Sequence, residues 1–299
     1  LLLTLAVLPQ ARAGEILVVA SSSAELYRGF VDRFTASLAD APMAGISVIY
    51  LDRDSLTAGA IAASDIIVTV GTRAAREAGE NAPDKPLLNT IIPESTFRML
   101  AAPAGTCPAR SAIFIDQPLA RQAALARAMF PSARSYGILL GPTSAQRHAE
   151  IDALQKKSDR QLVVTTAGDD SDISVTSNGL LHQVDVLLAV NDPLVLNREN
   201  AKWLLYSAYQ NRLPVIGFSR AYVKAGAAGA VFSEPGQMAR QAAAIMRKWL
   251  GDPSGCLPAP GFPVYFSVAV NQSVCSSLGG ASCDEDALGR QLADEESAQ

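Results

Sequence analysis

The chain has 299 residues, enough for one large or two medium domains with a sizeable buried core. Its formal charge of −4, with no basic cluster interleaved with aromatics, argues against a nucleic-acid partner. Beyond the hydrophobic start, no segment supplies the roughly 20 consecutive apolar residues that a membrane-spanning helix needs.

In chain order, LLLTLAVLPQARA (1–13) ends in Ala11-Arg12-Ala13 and reads as the end of a secretory signal, cleaved after Ala13. Ile16 to Ala20 is a near-continuous apolar strand, as in a sheet covered on both faces, with Ser21-Ser22-Ser23 at its carboxyl end. Leu26, Phe30, Phe34 and Leu38 then mark a helix. Ile46 to Tyr50 is a second strand, and Ala58 to Ala63 a weak helical pattern. IIVTV (66–70) ends in Gly71-Thr72 before a helix through Glu80, and LLNTII (87–92) is stopped by Pro93. After a turn-rich stretch from Pro103 to Pro108, Ser111 to Ile115 forms the fifth strand.

Asp116-Gln117-Pro118 is the expected first crossing between two lobes, because the same alternation of strand, polar loop and helix then restarts. Leu119 to Phe130 is an Ala-rich helix, and YGILL (136–140) ends in Gly141-Pro142-Thr143-Ser144. Ala145 to Lys157 is helical and QLVVTT (161–166) is a strand. The DDSD run (169–172) with Asn178-Gly179 reads as loops around a short irregular element. DVLLAV (185–190) ends in Asn191-Asp192-Pro193, and Asn197 is placed to cap a helix with Ala201, Leu204, Leu205 and Ala208 on its apolar face. PVIGF (214–218) and GAVF (229–232) are further strands. A long helix from Pro235 presents Met238, Ala242, Ile245 and Trp249 to the core. A Pro/Gly-rich connector (251–261), YFSVAV (265–270) and a short helix to Leu278 follow. The tail sets Asp284, Glu285, Asp286, Asp294, Glu295 and Glu296 against Arg290 alone and reads as disordered.

Catalytic patterns are weak. The chain has no nucleophile elbow, dinucleotide fingerprint or P-loop. Only His148 and His182 are present, and the cysteines lack CxxC spacing, so neither zinc nor another cofactor is expected. Asp65 and Asp185 directly precede apolar strands and read as solvated strand starts, not as an acid and a base. Cys107, Cys256, Cys275 and Cys283 suit an oxidising compartment and allow three pairings. A short Cys275–Cys283 closure would leave Cys107 and Cys256 to tie two interlobe regions.

The recurring feature is small polar residues at strand carboxyl ends, the edge where open α/β sheets bind ligands. The expected ligand-binding set is Ser21, Ser22, Ser23, Gly71, Thr72, Thr143, Ser144, Asn191, Asp192, Phe218 and Ser219. Helix N-termini would take a ligand carboxylate, Asp192 its ammonium group, and Phe218 would supply an apolar wall. The rival readings are an envelope scaffold or sensor and, less favoured, an exported hydrolase using Asp192 or Asp116. The hydrolase lacks a second activating group.

The stretch from Asn191 to Met246 closely resembles a bacterial family of ABC-transporter substrate-binding proteins that includes aromatic amino-acid binders. Asp116-Gln117-Pro118 with PSARSYGILLGPTS, IIVTVGTRAA, and YFSVAVNQSVCSSLG are similar to the same family. The resemblance implies an α/β, type I periplasmic-binding fold: two Rossmann-like lobes, joined by three crossings, that close on a small molecule. Lobe 1 would take 14–115 and 236–262, lobe 2 116–235 and 263–280, with 281–299 as the tail. It also implies a monomer in the periplasm and, as partners, an inner-membrane ABC permease and its ATPase. The sequence departs from the family pattern after LLNTII and in the short segment from Leu51 to Asp65, both in the ligand-facing half of the first lobe.

Overall fold

A computed structural model describes residues 14–39, 46–100, 107–252 and 255–298. The signal remnant with its cleavage site, and most of the turn-rich stretch before Pro108, lie outside the described residues. The chain divides into two compact units. Unit 1 comprises the chain through Ile115 together with Pro235–Tyr265, and unit 2 comprises Asp116–Glu234 and the chain from Phe266 onward.

Unit 1 carries a five-stranded, all-parallel sheet in the order β2 (Ile46–Asp52), β1 (Gly14–Ala20), β3 (Ile66–Val70), β4 (Leu87–Ile92), β5 (Arg110–Phe114). The apolar runs form its interior because helices cover both faces, leaving no polar side for alternation to mark. On one face, α1 (Glu25–Ala39) contributes Phe30, Phe34 and Leu38, and α10 (Pro235–Gly251) contributes Met238, Ala242, Met246 and Trp249. On the other, Ala74 and Ala78 of α3 (Thr72–Asn81) pack on Leu17, Val19 and Ile67. Leu26 is 49 % exposed. A spacing of four drifts by about 40° per step on a helix, so the stripe leaves the core at its first turn. The order 2-1-3-4-5 puts the reversal of strand order between β1 and β3.

Unit 2 carries six strands in the order β11 (Ser267–Val270), β10 (Gly229–Phe232), β9 (Val215–Gly217), β8 (Val186–Ala189), β6 (Ser135–Leu140), β7 (Gln161–Thr166). All pairs are parallel except β10 with β11. The reversal falls between β6 and β8, the counterpart of the β1/β3 position. Helix α5 (Leu119–Met129) anchors this sheet through Leu119, Leu125, Ala126 and Met129. The Gln122 amide donates to the carbonyls of Ala189 and Gly217, tying the carboxyl ends of β8 and β9 together. Asn197 caps α8 (Arg198–Gln210), accepting from Glu199 and Asn200 N–H.

Three expectations fail here. The segment read as irregular is α7 (Asp170–Leu181), held by burial of Ile173, Ser177, Leu180 and Leu181. The acidic tail is not disordered: it forms α12 (Glu285–Ser297), capped by Asp284 and docked through buried Leu288 and Leu292. Its Glu295 and Glu296 meet Arg127 and Arg121 from α5, so the counter-charges come from more than 160 residues away. Disulfides join Cys107 to Cys256 and Cys275 to Cys283. Both Cys107 and Cys256 belong to unit 1, so that bridge closes one unit instead of tying interlobe regions.

Candidate functional site

Strand-end loops gather at each reversal of strand order, and each pair of loops is fastened by one polar side chain. In unit 1 the loop after β1 meets the loop after β3. Gly71 is the N-cap of α3 and has no side chain to offer the helix. Ser21, 3 % exposed, supplies the missing acceptor from the neighbouring loop: its Oγ accepts from Ala74 N–H at 3.0 Å, at the third helical position. Gly71 has φ of +93°, and a Cβ there would lie 2.5 Å from Ser21 Oγ. Glycine is therefore required twice over, by conformation and by space.

In unit 2 the fastening group is charged. Asp192, 0 % exposed, follows β8; its Oδ2 accepts from Ser144 N–H at 2.7 Å and its Oδ1 from Leu194 N–H at 2.9 Å. The first bond crosses to the loop after β6, and the second turns the Asp192–Leu194 backbone. Charge-assisted bonds of this kind compensate a carboxylate withdrawn from water. A Cβ on Gly141 would lie 2.3 to 2.8 Å from that carboxylate, so this glycine makes room for Asp192 as Gly71 does for Ser21. Ser144 Oγ closes the same loop, accepting from Gly141 N–H.

The remaining predicted residues occupy the same carboxyl edges with more freedom. Ser23 is exposed, and Ser22, Thr72, Thr143 and Asn191 are partly exposed. Ser219 caps the five-residue helix α9 (Arg220–Lys224), accepting from Tyr222 N–H. Phe218 stacks on Tyr222 with ring centroids 5.4 Å apart. Sequence reasoning missed Tyr222. It is buried, its hydroxyl has no hydrogen-bond partner among the described residues, and desolvation pushes its pKa well above the usual tyrosine value. Only the absence of a side chain at Gly217, where a Cβ would lie 2.6 Å from the ring, hints at its position. Sequence reasoning also missed Ile91, in the left-handed region (φ 52°) where the β4/β5 register shifts, a costly conformation for a β-branched residue.

At the opposite, amino edges the two aspartates do more than sit in solvent. Asp65 accepts from Glu15 N–H at the start of β1, and Asp185 accepts from Arg134 N–H, Ser135 N–H and the Ser135 hydroxyl at the start of β6. His148 and His182 are exposed. Among the described residues no group of three or more His, Cys, Asp or Glu side chains could hold a metal ion. A separate groove of about 610 Å³ lies within unit 1 between α10 and the connector, against Ile245, Trp249, Leu257 and Phe262; none of the predicted loops lines it.

Solved structures share this architecture. The ligand-free, open structure of a substrate-binding protein with adhesive properties from Clostridium difficile is 16 % identical, with a TM-score of 0.70 over 90 % of this chain and 96 % of that one. A conserved domain protein from Vibrio cholerae is 18 % identical, with a TM-score of 0.59 over 93 % and 98 %. An ABC domain in complex with L-Trp from Streptococcus pneumonia is 14 % identical, with a TM-score of 0.59 over 93 % and 98 %. These likenesses identify the fold as the type I periplasmic-binding fold. No curated protein matches the chain. The sequence model described as ABC transporter substrate binding protein matches residues 61–259, two-thirds of the length. The chain belongs to the ABC-transporter substrate-binding protein family.

Proposed function

We propose that the protein is exported to the periplasm, closes on one small polar solute, an amino acid or a related molecule, and delivers it as a monomer to an inner-membrane ABC permease and its ATPase. The supporting observation is the matched pair of strand-order reversals, each with loops braced by a buried side chain and with small polar groups left at the rim. On this reading the contacts come from Ser22, Ser23, Gly71, Thr72, Thr143, Asn191 and Phe218. Ser21, Ser144, Asp192 and Ser219 hold those groups in place, since their oxygens already serve backbone N–H groups. Braced loops lower the ordering cost of binding. Ligand favours the closed state through contacts that the open state lacks.

The test is native mass spectrometry of protein taken from periplasm, followed by calorimetry with the co-purifying molecule. Asn191→Ala is expected to weaken binding at least tenfold, by removing hydrogen bonds to ligand of about 1.4 kcal/mol or more in total, without lowering the unfolding midpoint. Absence of any co-purifying solute, together with no thermal shift across amino acids and polyols, would refute the reading.

A further inference from the structure

The chain passes between the units three times, at Ile115/Asp116, Glu234/Pro235 and Tyr265/Phe266. On the unit 2 side one guanidinium gathers all three passages. Arg121, on α5, has a side chain only 5 % exposed. Its Nη1 donates to Gln117 Oε1 at 2.5 Å, one residue beyond the first passage. Gln117, itself buried, donates from Nε2 to Ser233 Oγ at 3.0 Å, one residue before the second. The guanidinium carbon lies 4.2 Å from the centroid of Phe266, the first residue after the third. Two further bonds go to the C-terminal helix: Nε and Nη2 reach Glu296 Oε1 and Oε2 at 2.5 and 2.8 Å, a two-point fork.

Helix α12 is placed to present that carboxylate. Its base is fastened by the Cys275–Cys283 disulfide and by Ala281 N–H donating to Met129 carbonyl, its middle by Leu288 and Leu292, and its end by Glu295 with Arg127. A two-point, charge-assisted fork fixes the plane of the guanidinium as well as its position. Removing the Glu296 charge weakens that fork and with it the placement of the groups on Gln117 and Phe266.

We propose that Arg121 is a positioning residue that locks the three interunit passages on the unit 2 side, and that Glu296 of the C-terminal helix holds it in place. The terminal helix thereby sets the stiffness of the segments through which any opening or closing must act. The lock stands on contacts within unit 2; its importance for solute capture rests on the binding reading above.

Hydrogen exchange on the ligand-free, full-length protein tests it without reference to any solute. Glu296→Gln keeps the shape of the helix end and removes the charge. Amides at 115–117, 232–234 and 265–267 should then exchange roughly tenfold faster, through local opening, with β6 and β8 unchanged. Glu295→Gln, which weakens the neighbouring exposed pair with Arg127, should leave those amides within about twofold of the parent. Arg121→Lys, which cannot supply the fork and the Gln117 bond together, should mimic Glu296→Gln. Unchanged passages in Glu296→Gln, an equal effect from Glu295→Gln, or acceleration spread evenly into β6 and β8 would each overturn the lock.

Discussion

The two strand-order reversals solve the same problem with different chemistry. Both sheets bring two loops together at their carboxyl edges, and in both a glycine makes room for a polar side chain arriving from the other loop. In unit 1 the glycine follows the second strand of the pair and the side chain is the neutral hydroxyl of Ser21. In unit 2 the glycine follows the first strand and the side chain is the fully buried carboxylate of Asp192. Both side chains reach the neighbouring loop, but the hydroxyl accepts one N–H there and acts as a cap, whereas the carboxylate accepts an N–H from each of two loops and acts as a joint. The second unit should therefore depend more steeply on its fastening residue than the first.

The largest effect is expected for Asp192→Ala. It strands the buried Ser144 N–H, at about 1–3 kcal/mol, and removes the part-buried bond from Leu194 N–H, worth about 1 kcal/mol, so urea unfolding should report a loss of about 3 kcal/mol. A loss below 1 kcal/mol would show that the joint is no joint. Gly71→Ala ranks next, at roughly 2–3 kcal/mol from the left-handed backbone and the crowding of Ser21 together. Combining it with Ser21→Gly should return part of that loss; strict additivity would remove the crowding from the explanation. Ser21→Ala alone should cost about 1 kcal/mol, the usual worth of a helix cap. If it matched Asp192→Ala, the distinction between cap and joint would collapse.

The smallest effect concerns the amino edges, where the units agree. The N–H of Arg134, aided by the hydroxyl and N–H of Ser135 and opposed by partial desolvation, holds the Asp185 carboxyl below its usual pKa. A depressed carboxylate contributes stability that is present at neutral pH, above the unfolded-state value near 4, and lost as pH falls through the lower folded-state value. Urea midpoints should therefore decline into acid, and Asp185→Asn should flatten that decline. An identical decline in the variant would assign it to other carboxylates.

Strands were readable because burial on both faces leaves continuous apolar runs such as Ile16–Ala20 and Ile66–Val70. The Asn197 cap was readable because it is local, with donors two and three residues away. Helix α7 was not: aspartate, serine, asparagine and glycine disfavour helix on their own, and only packing of Ile173, Leu180 and Leu181 decides otherwise. Nor was α12, whose two buried leucines are few and whose basic partners sit on α5. The loops that carry the candidate site were legible as a repeated pattern at strand ends. Their division into bracing and free groups was not, because Ser21 meets Ala74 across 53 positions and Ser144 meets Asp192 across 48.

The split composition of unit 1 has a consequence for the order in which the molecule can be built. Helix α10 covers Phe30 and Phe34 of α1 and one face of the first sheet, yet it is encoded some 200 residues later. A nascent chain thus carries an uncovered, aromatic half-core through the whole synthesis of Asp116–Glu234, and the partner of Cys107 arrives later still. That surface can be covered only once Pro235–Gly251 has emerged, and the bridge from Cys107 can close only after that.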